Sequence, residues 1–365
     1  MLTSKLKYSI LVTLFCFSGP LVAQTNRLRT IESYARSHDF SGTIVVKSKT
    51  QTLYARSFGF ANRQFRVSNT LETKYKIASI TKAFTAVLIM RLQEQQKLSL
   101  DHTIQSYLPN YGGSAGNQVT IRQLLNHTAG MPNIDRGLTS ADVAIKNGIP
   151  HYQTPLTSDD LLTRYCSEDL VHKPGETFDY NNADYIILGK IIERLYGDTY
   201  ERVLKKEILD PLGLHESGML HQYDVVEVLA DTYFFREDLK RLVNDLPVYI
   251  ENWYAAGAMY STANDLLKFS DALFSRKLLS ATALSLMLTP GLDNYGFGLW
   301  VYDSTINGRK HKVVKRPGRI MGAQGMLFHL VNDDITILLL SNTDRANLDE
   351  FAAYIAKQVI AKATR

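Results

Sequence analysis

Apolar residues recur along this chain in two rhythms, and the change between them divides it. The stretch "GTIVVKSKTQTLYARSFGFA", from Gly42, reads as two strands about a turn at Lys49-Thr50-Gln51. The same texture returns near the other end. "YGFGLWVYDSTINGRKHKVVKR" predicts a hairpin turning at Asn307-Gly308, and "AQGMLFHLVNDDITILLLSN" another turning at Asn332-Asp333-Asp334. Between them "SITKAFTAVLIMRLQEQQ", "TIRQLLNH", "SDDLLTRYCSE", "NADYIILGKIIERLYG", "YERVLKKEIL" and "TANDLLKFSDALF" space their apolar residues by three and four, as amphipathic helices do. Capping residues fit at Thr120, Ser158 and Thr262. The pattern predicts an α/β (α+β) fold: an antiparallel sheet split by an inserted, mainly helical region. The sheet region spans about 26–76 and 254–365 and the helical region about 77–253, all within one domain over 24–365. Helices near Asn26 to His38 and Asn347 to Ala363 are expected to cover one sheet face.

The first 23 residues have a different character. Lys5 and Lys7 precede an apolar run from Tyr8 to Phe17, then Ser18-Gly19-Pro20 and a cleavage site after Leu21-Val22-Ala23, the layout of an export signal. The run is shorter than the roughly 20 apolar residues a bilayer span needs. A lipobox around Cys16 fits poorly, because Phe15 stands where a small residue belongs. The expected mature protein is therefore exported, periplasmic or secreted, without a transmembrane segment. Loss of two lysines would take its formal charge from +5 to +3. Lys and Arg are scattered, so nucleic acid has no electrostatic footprint here. Only Cys166 would remain of the two cysteines, which excludes an internal disulfide. No metal or other cofactor is implied, since there is no H-E-x-x-H helix and no thiolate cluster.

Candidate chemistry centres on "YKIASITKAF". In a helix Ser79 and Lys82 share a face, about 5–6 Å apart at Cβ. A serine at a helix N-terminus benefits from orphan N–H groups as negative charge develops, and needs a base within hydrogen-bond reach. Lys82 can be that base once burial lowers its pKa. The same spacing at Ser4 and Lys7 shows that S-x-x-K alone is weak, and an N-cap beside a snorkelling lysine is the plain alternative. Tyr180-Asn181-Asn182 is the one Y-x-N among 20 tyrosines. Its phenol can shuttle a proton, and its amide can hold both lysine and substrate carbonyl. The plain reading is a turn with Asn182 as helix cap.

Taken in order, "SITKAF", "LLNHTAGMP", "PGETFDYNNADYIILGKIIE", "ILDPLGLHESGM", "AAGAMYSTANDLLKFS" and "ITILLLSN" resemble the serine beta-lactamase and penicillin-recognising family, in its class C-like branch. That branch also holds D-alanyl-D-alanine carboxypeptidases, D-amino-acid peptidases and esterases. The resemblance runs from about Leu53 to Asn342. It implies Ser79 as acylated nucleophile, Lys82 as its base partner, and Tyr180 with Asn182 as second motif, the first proton going to either Lys82 or Tyr180. His127 falls in a loop taken as structural.

The third motif departs from the family's Lys-Thr-Gly or His-Ser-Gly. Here it is Arg316-Pro317-Gly318, with Gly322 as the second glycine. Arg316 keeps a positive charge and offers a fork suited to a carboxylate, but cannot give up a proton; a surface ion pair beside Lys315 is the other reading. Pro317 suggests a strand with an open edge, and the resemblance pairs the N–H of Arg319 with that of Ser79 as an oxyanion hole. The implied function is hydrolysis of an amide or ester through an acyl-enzyme. D-amino-acid peptides of the peptidoglycan type and small esters are the leading substrates, ahead of beta-lactams. The alternatives are a non-catalytic penicillin-recognising module that binds peptidoglycan peptides, and an α/β hydrolase using Ser114 of Gly112-Gly113-Ser114-Ala115-Gly116. Pro109, Asn110 and Tyr111 stand where the strand of such an elbow should be.

Overall fold

The computed structural model describes residues 29–138 and 141–360, so the expected export signal and cleavage site lie outside the described residues. Strands β1 (Gly42–Ser48) and β2 (Gln51–Phe58) join β3 (Trp300–Ile306), β4 (Arg309–Ile320), β5 (Ala323–Leu330) and β6 (Ile335–Ser341) in one six-stranded sheet. Its order is β3-β4-β5-β6-β1-β2, with every neighbouring pair antiparallel. The first hairpin turns on Lys49 and Thr50, with Lys49 at φ 52°, and the β3–β4 hairpin on Asn307 and Gly308, both at positive φ. An Asn-Gly pair suits such a two-residue turn, since both residues tolerate that backbone. The helical region enters after β2 and leaves before β3, so the sheet is completed by segments from both ends of the chain.

Each side of the sheet has its own core. On one side Ile44, Val46, Val313, Met326, Phe328 and Leu339 pack against the N-terminal helix (29–37, α1) and the C-terminal helix Leu348–Val359. On the other, Val45, Val314, Leu327 and Leu338 face the inserted helices. Of these, α2 (Thr81–Glu94) is buried from Thr81 to Met90, which explains its apolar content on every side, and α3 (Asn182–Tyr196) is buried from Asn182 to Gly189. Among the described residues no helix is long and apolar enough to cross a membrane.

Two caps differ from the sequence expectation. Thr157, not Ser158, caps Ser158–Tyr165, in a reciprocal pair with Asp160. Asn181, not Asn182, caps α3, its side chain accepting from the Ala183 N–H. That shift by one residue frees the Asn182 amide. Thr120 and Thr262 cap as expected.

Candidate active site

Ser79 lies in a 3-10 turn, Ala78–Ile80, that leads directly into α2. Ala78 sits at φ 47°, a left-handed conformation that costs an L-residue of order 1 kcal/mol or more. Thr81 Oγ1 donates to the Ala78 carbonyl at 2.7 Å and holds that turn. The partly exposed serine hydroxyl then meets the buried Lys82 and the partly buried Tyr180. Lys82 Nζ lies 3.2 Å from Ser79 Oγ, and the Tyr180 hydroxyl donates to the same oxygen at 2.9 Å.

Lys82 is fully buried and, among the described residues, has no carboxylate partner. Besides Ser79 it donates to Asn182 Oδ1 at 2.6 Å and to the Ala256 carbonyl at 2.9 Å. Burial, with the nearby Arg316 charge, lowers its pKa to about 8, against the opposing pull of Tyr180 and Asp135. The two other partners only accept, so they take the two N–H groups of a neutral amine. Its lone pair is then left facing Ser79 Oγ. The Ala256 carbonyl comes from the turn Tyr254–Gly257, which approaches α3 closely because position 189 is glycine. A Cβ there would lie 2.4 Å from the Tyr254 ring and 2.6 Å from Ala255 Cβ.

Arg316 is fully buried as well, which removes the reading of a surface ion pair beside Lys315. Lys315 points to the opposite sheet face and bonds Asp349. Arg316 Nε donates to the Ser79 carbonyl at 2.6 Å, one terminal nitrogen to the Tyr295 hydroxyl at 2.7 Å, and the other to the Tyr180 hydroxyl. Its guanidinium carbon lies 5.3 Å from the ring centres of Tyr180 and Trp300 and 5.9 Å from that of Tyr295. The expected carboxylate-binding fork is thus corrected: all three nitrogens are committed to the serine turn and two phenols. Burial opposes ionisation of Tyr180, yet the charges of Arg316 and Lys82 outweigh it and hold the phenol below its ordinary pKa.

Asn182 also departs from the expected substrate contact. It is buried, its oxygen is on Lys82, and its NH2 donates to Asp135 Oδ2 at 2.7 Å and approaches the Tyr152 hydroxyl at 3.4 Å. Asp135, Tyr152, Tyr295 and Trp300 escape motif reading. Asp135 follows "HTAGMP" and Tyr295 opens "YGFGLW", so proximity to a motif was the one available signal.

Strand β4 runs beside the serine turn. Its pairing with β3 ends at Lys315, while pairing with β5 continues to Ile320, so Arg316 to Ile320 have an open edge. Alternate residues direct their backbone groups to the same side, and Pro317 has no N–H to give a ladder. Lys315, Pro317 and Arg319 therefore share the side away from β5, which turns the Arg319 N–H to the open edge. The Arg319 side chain is exposed, 3.9 Å from Asp344. Gly318 allows the strand to touch the turn: a Cβ there would stand 2.3 Å from the Ile77 carbonyl and 3.1 Å from Ser79 N.

His127 is buried, with Nδ1 2.7 Å from Asp184 Oδ2. Burial, with the charges of Lys82 and Arg316, pushes the imidazole pKa down, and burial pushes that of Asp184 up. Ser114 is remote from this chemistry. Itself exposed, it starts a 3-10 turn that no strand directly precedes, and its Oγ accepts from the Leu170 N–H at 3.3 Å.

A family model described as Beta-lactamase matches residues 29–362. A protein of Bacillus subtilis (strain 168) named as penicillin-binding protein PbpX is 29% identical over 281 residues, covering 77% of this chain and 67% of the relative. Among solved structures, an octameric penicillin-binding protein homologue from Pyrococcus abyssi superposes with a TM-score of 0.74 at 27% identity, over 93% of this chain and 77% of the other. A D-amino acid amidase from Ochrobactrum anthropi SV3, complexed with D-phenylalanine, reaches a TM-score of 0.78 at 20% identity, over 92% and 98%.

Proposed function

Because this chain belongs to the Beta-lactamase family, we propose that it is an exported serine hydrolase in which an amide or ester substrate acylates Ser79 and water then releases the acyl group. The observation that carries this reading is the contact of one serine oxygen with two proton-transfer groups, the buried Lys82 Nζ and the Tyr180 hydroxyl. As Ser79 Oγ forms its bond to the carbonyl carbon, the Lys82–Tyr180 couple takes the hydroxyl proton. The N–H groups of Ser79 and Arg319 receive the developing oxyanion. Collapse of the tetrahedral intermediate breaks the bond to the leaving group, which takes the proton from the couple. In deacylation, water gives its proton to the couple and its oxygen to the acyl carbon, and Ser79 recovers its hydrogen. Arg316 stays protonated throughout and stabilises negative charge on the Tyr180 oxygen.

D-amino-acid peptides, including those of peptidoglycan, and small esters are the preferred substrates. The penicillin-binding and D-amino acid amidase names among similar proteins support that class. Beta-lactams rank lower because Arg316-Pro317 replaces the usual third motif. Export rests on the pattern of the first 23 residues. The test is an intact-mass time course with benzylpenicillin, run beside ester and D-aminoacyl amide hydrolysis. Ser79→Ala should abolish both adduct and turnover, a loss of about 10⁴-fold or more, while Ser114→Ala retains them. The reverse mutant pattern would restore the Ser114 reading. No turnover, with peptide binding retained in Ser79→Ala, would leave a non-catalytic binding module.

A further inference from the structure

Lys82 can present its lone pair to Ser79 only if the Asn182 amide shows it oxygen and not nitrogen. The amide could satisfy one neighbour in either orientation, so something must choose. Asp135 lies on the far side of that amide, with Oδ2 2.7 Å from Asn182 Nδ2. Its Oδ1 accepts from the Tyr152 hydroxyl at 2.8 Å and lies 3.5 Å from His151 Nε2. An ionised carboxylate only accepts, so it draws the NH2 end of Asn182 and turns the oxygen to Lys82. We propose that Asp135 is a positioning residue that sets the Asn182 amide orientation and thereby aims the Lys82 lone pair at Ser79.

The surroundings are built to hold Asp135 there. Asn133 Nδ2 donates to the Tyr180 carbonyl and to Asp179 Oδ1, both at 2.9 Å, and Asn133 Oδ1 accepts from the Asp135 N–H at 3.0 Å. The Ile134 N–H donates to Asn181 Oδ1 at 3.2 Å. The loop bearing Asp135 is thus tied to the loop bearing Tyr180 and Asn182. Tyr152 is almost wholly buried and stacks on Trp253, ring centres 3.5 Å apart and planes 4° apart. Trp253 immediately precedes the turn that supplies the Ala256 carbonyl, so both acceptors of Lys82 belong to one connected frame. Asp135 itself touches neither Lys82 nor Ser79 in this frame.

The inference rests on the acylation mechanism proposed above for its kinetic consequence, but not for its structural one. The first readout therefore needs no activity: titration of the Lys82 side-chain nitrogen by NMR in wild type, Asp135→Asn and Asp135→Ala. The charged or titratable groups around Lys82 are Tyr180, Tyr185, Arg316, His127, Asp184 and Asp135. Only the last is altered. Both variants lose the same negative charge and lower the Lys82 titration alike on that ground; Asp135→Ala, which also frees the Asn182 amide to turn its NH2 towards Lys82, should lower it by about 1 unit more than Asp135→Asn. In the kinetic readout Asp135→Ala should lose about 10- to 100-fold in kcat with KM held within about twofold, and Asp135→Asn should recover most of it. Asp135→Asn keeps an acceptor for Asn182 and guards against a folding defect in the alanine variant. Equal Lys82 titrations in the two variants, or a change confined to KM, would overturn the positioning role. If wild type itself neither acylates nor hydrolyses, the hydrolase reading fails and the NMR result alone decides this one.

Discussion

Two faces of one sheet behave as different materials. Towards the terminal helices, Ile44, Val46, Met326, Phe328 and Leu339 form a core with no buried charge among these strand residues. Towards the inserted helices, the same strands supply Val45, Val314, Leu327 and Leu338, but also Arg316, buried with no carboxylate partner among the described residues. Strand β4 makes the contrast within five residues: Lys315 and Arg319 point to one face and reach Asp349 and Asp344 at the surface, while Arg316 and Gly318 point to the other and meet Ser79. Because side chains alternate strictly along a strand, a shift of one residue would exchange the two sets. The lesson is that the apolar face provides stability, and the opposite face accepts charges and close backbone contacts in return for chemistry.

Between the two faces, the largest expected effect follows from removing the buried cation. Arg316→Met should lower kcat/KM by about 10³-fold, near 4 kcal/mol of transition-state stabilisation, in steady-state ester kinetics. The fold should survive, since Met suits a pocket of aromatic rings. An active Arg316→Met enzyme would make the two faces chemically equivalent. Across the sheet, Phe351→Ala should do the opposite. Phe351 is fully buried against Tyr34 and Phe40, with ring centres 4.6 Å and 5.5 Å away, so its truncation should cost about 3 kcal/mol in denaturant titration. The kcat per folded molecule should stay within about twofold.

A smaller effect lies in pH dependence. Lys82, lowered to about 8 chiefly by burial and further by Arg316, must lose its proton before it accepts one from Ser79. The acylation rate should therefore rise with pH through about 8. In Arg316→Met one charge that favours deprotonation is gone, so this limb should move up by about 1 unit. An unchanged limb would detach Arg316 from the Lys82–Tyr180 couple. The smallest effect is expected at Lys315→Ala, whose partly exposed contact with Asp349 should contribute less than about 1 kcal/mol and no activity.

The motifs led directly to Ser79, Lys82 and Tyr180, because short-range spacing on a helix or its approach reflects local geometry. The same reasoning misjudged what Arg316 and Asn182 touch. Arg316 was read as open to substrate because its partners, Tyr180 and Tyr295, are 136 and 21 residues away. Asn182 was a candidate helix cap until Asn181 took that role, a one-residue difference that pattern reading cannot resolve. Asp135 lies in an irregular stretch with no periodicity, so its link to Asn182 had no signature beyond its nearness to "HTAGMP".

By itself, then, the sequence determined the alternation that makes the strands, the three- and four-residue spacing that makes the helices, and the Asn-Gly turn between β3 and β4. These depend on neighbours in the chain, whose geometry is set by the backbone. Tertiary structure alone decided that Lys82 and Arg316 would be buried close together, and which way the Asn182 amide would face. Those outcomes depend on desolvation and on hydrogen-bond partners from separate loops, and neither exists until the two halves of the sheet close on the helical region.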